Sequence, residues 1–126
     1  MYNTTKQFGF LSKHHIRQPS EFDTVFKRGK RLVDACFAFC YLGTERSHPR
    51  LGMVVSKRNC PLAVDRNGIK RAIREQFRFN RHALSHIDLV VMLRSSPKKM
   101  SNQELRSCLE KLFSLLITRC DGSSSN

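Results

Sequence analysis

Acidic residues are scarce in this chain. Ten Asp and Glu stand against 23 Lys and Arg in 126 residues, giving a formal net charge of +13 and a pI near 10.2. The acids are dispersed, with no Asp-x-Asp or Asp-x-Glu pair. A self-sufficient nuclease needs clustered carboxylates for two metal ions, or a paired acid and base, so no catalytic residue is expected on the protein. Gly-rich phosphate loops and Gly-x-Ser-x-Gly are also missing. No apolar run approaches the roughly 20 residues of a membrane span. The first thirty residues are basic and hold no apolar core, so a secretory signal is not expected. Cys36, Cys40, Cys60, Cys108 and Cys120 are odd in number and include no Cys-x-x-Cys. That argues against a disulfide framework and for a reducing, cytoplasmic setting. Cys36 and Cys40 match no standard zinc-finger spacing, so buried apolar thiols are expected instead. His14, His15, His82 and His86 read as surface histidines.

What is abundant is positive charge. On so small a chain it is self-repulsive, and a polyanion relieves it. Nucleic acid is the partner expected. A membrane partner would need a basic amphipathic anchor or a lipid signal, and neither stands out. Hydrophobic residues make up 40%, enough for the core of one domain at this length.

Residues 1–17 read as a basic, unpatterned N-terminal arm, 18–120 as the domain, and 121–126 as a polar, mobile tail. Pro19 and Ser20 open a short helix, with Phe22, Val25 and Phe26 on one face and Gly29 at its end. Val33 to Leu42 reads as a strand, with Phe37, Phe39 and Tyr41 on one face and Cys36, Ala38, Cys40 and Leu42 on the other. Leu51 to Ser56 is a further strand, ending in Lys57 and Arg58. Residues 62 to about 83 form a helix, Asp88 to Leu93 a strand. Ser101 to Glu104 is a capping-box pattern opening a last helix, whose core face is Leu105, Cys108, Leu109, Leu112 and Leu116. The result is a single-domain α+β sandwich with helices packed on one small sheet.

The helix from residue 62 carries the chemistry. At 100° per residue, Leu62, Ile69, Ile73, Phe77 and Leu84 point one way. Asn67, Lys70, Arg71, Arg74, Arg78 and Arg81 fall on a separate arc about 100° wide. A solvated face normally mixes signs, yet Glu75 is the one acid between Arg66 and Arg81 and lies off the arc. Such a row suits phosphates and predicts salt-sensitive binding of nucleic acid. Phe22, Phe26, Phe37, Phe39 and Tyr41 suggest a second surface, a groove for unstacked bases, with about half of the rings kept in the core.

The segment Arg66-Asn67-Gly68-Ile69-Lys70-Arg71-Ala72-Ile73-Arg74-Glu75-Gln76-Phe77-Arg78 resembles the bacterial ribonuclease P protein component, whose signature runs Arg-Asn-Arg-x-Lys-Arg-x-x-Arg-Glu-x-Phe-Arg. His48 to Arg58 resembles that family's strand ending in a basic pair, Ser20 to Phe26 its first helix, and Asp88 to Arg94 its last strand. The resemblance covers roughly residues 11 to 117.

The family implies the order αβββαβα, a ribosomal protein S5 domain 2-like fold, and a left-handed βαβ crossover against the usual rule. It implies an accessory subunit of an endoribonuclease whose RNA carries the catalysis with Mg²⁺ held mainly by RNA, maturing the 5′ end of tRNA. The protein would bind the catalytic RNA one to one through Lys57, Arg58, Arg66, Asn67, Lys70, Arg71, Arg74, Arg78 and Arg81. It would hold the precursor tRNA 5′ leader in a cleft lined by Phe22, Phe26, Phe39 and Tyr41. Cys40 falls where some relatives carry an aromatic, and Asn67 is the one weak candidate for a metal contact on the protein. Gly68 replaces the second arginine of the motif, deleting a guanidinium. In a helix interior it also costs about 1 kcal/mol relative to Ala. The competing readings are a ribosomal or RNA-chaperone protein and a protein-only nuclease.

Overall fold

The computed structural model describes residues 14–84, 86–96 and 101–125, with side chains to Cys120. In chain order the elements are α1 (Pro19–Arg28), β1 (Lys30–Val33), β2 (Phe37–Gly43), β3 (Arg50–Val54), α2 (Ala63–Asn80), a 3₁₀ turn (Arg81–Ala83), β4 (Ile87–Leu93) and α3 (Asn102–Ser125). The strands form one mixed sheet in the order β1-β2-β4-β3. β1 and β4 are antiparallel to β2, and β3 is parallel to β4. The parallel pair is joined through α2, which gives a βαβ crossover.

Alternation along the strands splits the core between two faces. Phe37, Phe39, Tyr41, Leu51, Leu89, Val91 and Leu93 meet Ile69, Ile73 and Phe77 of α2 and Leu109, Leu112, Phe113 and Leu116 of α3. Phe39 and Phe113 sit edge to face with ring centroids 4.9 Å apart, a favoured aromatic geometry. On the opposite face Cys40 and Val90 are covered by Val25 of α1 and by Ile16, with Phe22, Phe26, Leu42 and Met92 half-buried around them. Helices therefore cover both faces of the sheet, not one.

Several local expectations need correction. The strand expected over Val33 to Leu42 is two strands. Asp34 accepts hydrogen bonds from the backbone N–H of Cys36 and Phe37, 2.8 Å each, and this turn breaks the ladder. Cys36, placed with Ala38 and Cys40 by alternation, precedes the strand and joins the α2–α3 core. Leu62 does not share the buried stripe; it is the N-cap of α2 and is 62% exposed. The end of the basic arm is docked: Ile16 donates to the Leu51 carbonyl at 2.9 Å and is buried. α3 continues to Ser125, through most of the segment read as a mobile tail. Residues 1–13 of the arm lie outside the described residues.

Other expectations hold. α3 is opened by the reciprocal Ser101–Glu104 box, with Ser101 N–H donating to Glu104 at 2.9 Å and Glu104 N–H to the Ser101 hydroxyl at 3.1 Å. Gly29 caps α1, its N–H donating to the Val25 carbonyl at 2.8 Å. Its backbone is extended, so glycine is required by close approach: a Cβ would stand 2.5 Å from the Val25 oxygen and 2.6 Å from that of Tyr41.

Candidate nucleic-acid interface

α2 is a helix because Ile69, Ile73 and Phe77 recur at i, i+4, i+8 and are buried together. Its first turn has no side-chain cap. Instead Arg66 folds back, its Nη1 donating to the carbonyls of Cys60 at 3.1 Å and Pro61 at 2.8 Å. This guanidinium, assigned to RNA contact from the sequence, is thus partly committed to holding the chain that enters the helix. Asn67, Arg71 and Arg78 are exposed, and Lys70, Arg74 and Arg81 half-buried, along the flank of the core stripe. Arg50 pairs with Asp88 and Glu21, and Arg46 with Glu21. None of these pairs involves Lys70, Arg71, Arg74 or Arg78 of the α2 arc.

Arg74 is the most constrained cation on the arc. Burial, and then the neighbouring Arg71, push its pKa down against the pull of Glu75. The pKa of His15, on the docked arm, is lowered by burial, then by Arg17 and Arg74. An anion placed here would relieve all of these charges. Lys57 and Arg58 are exposed on the turn after β3. That turn is tied down by Cys60 N–H to the Ser56 carbonyl at 3.0 Å, Asn59 N–H to the Ser56 hydroxyl at 3.2 Å, and the Asn59 side chain to the Leu93 carbonyl at 3.0 Å.

The second surface lies between α1 and the sheet. Phe22 and Phe26 have ring centroids 6.3 Å apart, and both are half-buried. Phe22 rests on Gly52 of β3, where a Cβ would come within 2.7 Å of two ring carbons. Glycine at this point makes room for the ring. By register, Val33, Ala38, Met92 and Val54 form one row across this face of the sheet. Val33 and Val54, at its two ends, are 51% and 37% exposed.

Phe39 and Tyr41 do not belong to this cleft. Strand alternation turns both to the α2–α3 face, where Phe39 is fully buried and Tyr41 nearly so. Cys40 faces α1 but is fully covered by it, so it offers nothing to a ligand in the cleft. Burial pushes the thiols of Cys36, Cys40 and Cys60 up, as inert core groups. The row Val33–Ala38–Met92–Val54 was missed from sequence, because it appears only once the strand register is known. Arg31 was missed for the same reason: it lies on the α1 face, opposite Cys40, and its charge opposes the rise in that thiol's pKa.

The fold and these two surfaces define a small α+β protein built like known ribonuclease P proteins. The Staphylococcus aureus RNase P protein superposes with a TM-score of 0.75 at 31% identity, covering 81% of this chain and 94% of that one. The Thermotoga maritima RNase P protein gives 0.69 at 30% identity, covering 82% and 96%. The ribonuclease P family model matches residues 10–116. The ribonuclease P protein component of Methylococcus capsulatus is 39% identical over 118 residues, 94% of this chain and 92% of its own length. That of Nitrosococcus oceani is 36% identical over 118 residues, 94% of this chain and 99% of its own. The chain belongs to the ribonuclease P protein component family, whose name implies a subunit of a tRNA-processing endoribonuclease complex with an RNA partner. No helix among the described residues is long and apolar enough to cross a membrane.

Proposed function

We propose that this chain docks on the catalytic RNA of ribonuclease P through the α2 arc and the Lys57–Arg58 turn, and receives the 5′ leader of precursor tRNA between α1 and the sheet. The complex then removes the leader to leave the mature 5′ end, in the cytoplasm and with one protein per RNA. The observation that carries this reading is the unneutralised arc Asn67, Lys70, Arg71, Arg74, Arg78 on a helix whose other side is locked into the core. A row of cations on a helix fixed by its core meets phosphates without rearrangement of the backbone, and releases their counterions. The Phe22 and Phe26 rings beside an apolar sheet row suit bases held out of the stack.

The hydrolytic chemistry is assigned to Mg²⁺ held mainly by the RNA, where the ions activate water for attack on the phosphodiester. The donor set of the protein accords with that division. Asp88 and Glu21 are engaged by Arg50, and Asn67 stands among Arg66, Lys70 and Arg71, a field that repels a free dication.

Reconstitution tests the reading. The protein is mixed with cognate catalytic RNA and precursor tRNA at low Mg²⁺ and physiological salt. Cleavage at the mature 5′ end is expected to exceed that by RNA alone. Equal rates would favour the ribosomal or chaperone class, and cleavage by RNA-free protein would favour a protein-only nuclease.

A further inference from the structure

A second group of cations stands outside the surfaces described so far. Lys27 and Arg28 end α1, Gly29 turns the chain, and Lys30 and Arg31 begin β1. All four cations are exposed, and among the described residues no carboxylate pairs with them. Lys27 and Arg28 complement the negative end of the α1 dipole, an explanation that does not reach Arg31. Strand alternation sets Arg31 on the α1 face, opposite Cys40, and turns Lys30 to the other face with Tyr41.

The position of this corner relative to the cleft is what makes it informative. α1 crosses the sheet from β3, where Phe22 sits on Gly52, towards the β1–β2 side, where Gly29 meets Tyr41. The apolar row beside it runs the same way, from Val54 on β3 through Met92 and Ala38 to Val33 on β1. α2, the helix assigned to the catalytic RNA, packs beside β3. A leader emerging from the RNA therefore enters at the β3 end and leaves at the β1 end, next to Arg31. Three strand spacings make the row about 14 Å long. Nucleotides on an unstacked strand lie at least the stacked spacing of about 3.4 Å apart, so at most about four cover it.

We infer that Lys27, Arg28 and Arg31 at this corner form an exit clamp that binds the phosphates of leader nucleotides upstream of those held in the cleft. The inference rests on the leader reading above. Its ligand is a single-stranded phosphodiester chain, bound by charge and without base preference. The corner acts only on leaders long enough to cross the sheet.

The test is a leader-length series of precursor tRNAs, from one to about fifteen nucleotides, bound to the reconstituted holoenzyme. Wild type, Phe22→Ala, the corner variant Lys27→Gln/Arg28→Gln/Arg31→Gln, and the strand-only variant Arg31→Gln are compared. The last leaves the end of α1 intact and guards against a folding defect. Affinity of wild type is expected to rise in two stages with length, with Phe22→Ala blunting the first and the corner variants the second. For the longest leaders the salt slope of the threefold variant is expected to fall by about two. Superimposable curves for wild type and both corner variants, or a loss equal at all lengths, would overturn the clamp. A Phe22→Ala curve identical to wild type would instead overturn the leader cleft itself. Loss of catalytic-RNA binding by the corner variants, measured without precursor, would place the corner on the ribozyme and also reject the clamp.

Discussion

Arg50 of β3 and Asp88 of β4 lie opposite one another in register and are joined by two hydrogen bonds, 2.9 Å through Nε and 2.8 Å through Nη2. The Nη1 of the same guanidinium reaches Glu21 of α1 at 3.0 Å. One arginine thus ties the helix that walls the cleft to the sheet that floors it. Both Arg50 and Asp88 are buried, so truncating one strands the other's charge. Arg50→Ala is expected to cost about 3–5 kcal/mol in denaturant unfolding. Replacing the pair by Arg50→Met/Asp88→Leu is expected to recover most of that loss, since no charge remains buried. A double variant as unstable as Arg50→Ala would contradict this account.

Glu21 carries the pH dependence of that junction. Burial pushes its carboxyl up, but the hydrogen bond from Arg50 and that from the Gln18 N–H outweigh it, and the net shift is downward. A carboxyl with a lower pKa in the folded state adds stability that is complete above its unfolded value, about 4.3. That stability is lost as the pH falls through the lower folded value. Wild type should therefore lose more stability than Glu21→Gln as the pH falls below about 4.3. Denaturant midpoints measured across pH 3 to 7 check this, and parallel curves would remove Glu21 from the acid response.

Gly52 and Gly29 are both sites of close approach, but with different neighbours. At Gly52 a Cβ meets the ring of Phe22, the far end of a side chain that can turn away. At Gly29 it meets two backbone oxygens that cannot. Gly52→Ala is expected to fold, at a cost of about 1–3 kcal/mol for overpacking, with the Phe22 ring displaced. Binding of leader-bearing precursor should then weaken as it does in Phe22→Ala, while affinity for mature tRNA stays nearly constant. An unchanged precursor affinity would show that the ring's seat on Gly52 does not matter to the ligand.

The elements most visible in the sequence were those with a strong period or a chemical signal at their ends. Ile69, Ile73 and Phe77 are buried as spaced, and the Ser101–Glu104 box opens α3. Phe22 and Phe26 flank the cleft because both fall on the sheet-facing side of α1. Phe39 and Tyr41 were misassigned to it because alternation along β2 says which residues share a face, but not which face a given helix covers. The β1–β2 break was hidden because one Asp34 side chain, and no glycine or proline, makes the turn. Nothing in the sequence singles out Arg50, since its partners are 29 and 38 residues away along the chain.

Arg74 offers a direct measure of the arc. It is half-buried, crowded by Arg71, and lacks a carboxylate bonded to it among the described residues. Arg74→Ala is expected to weaken binding to the catalytic RNA and to flatten the plot of log affinity against log salt by about one unit. Filter binding across a salt series reads both. A weaker complex with an unaltered slope would mean that the side chain supports the helix and touches no phosphate.

Gly68 separates helix propensity from charge at one position. An added Cβ there meets nothing within 4 Å, and the site is exposed in the first part of α2. Gly68→Ala should therefore raise stability by about 1 kcal/mol and leave the salt slope of RNA binding unchanged. Gly68→Arg restores the motif's missing cation. At 100° per residue that side chain projects about 60° beyond Arg71, on the side of the arc away from the core. If the catalytic RNA wraps that far round the helix, the slope steepens by about one unit relative to Gly68→Ala. If the slope of Gly68→Arg equals that of Gly68→Ala, the RNA stops at Arg71, and the loss of the arginine at this position removed no contact. The alanine variant is the reference that makes the comparison sound, because both substitutions share the gain in helix stability and differ only in charge and reach.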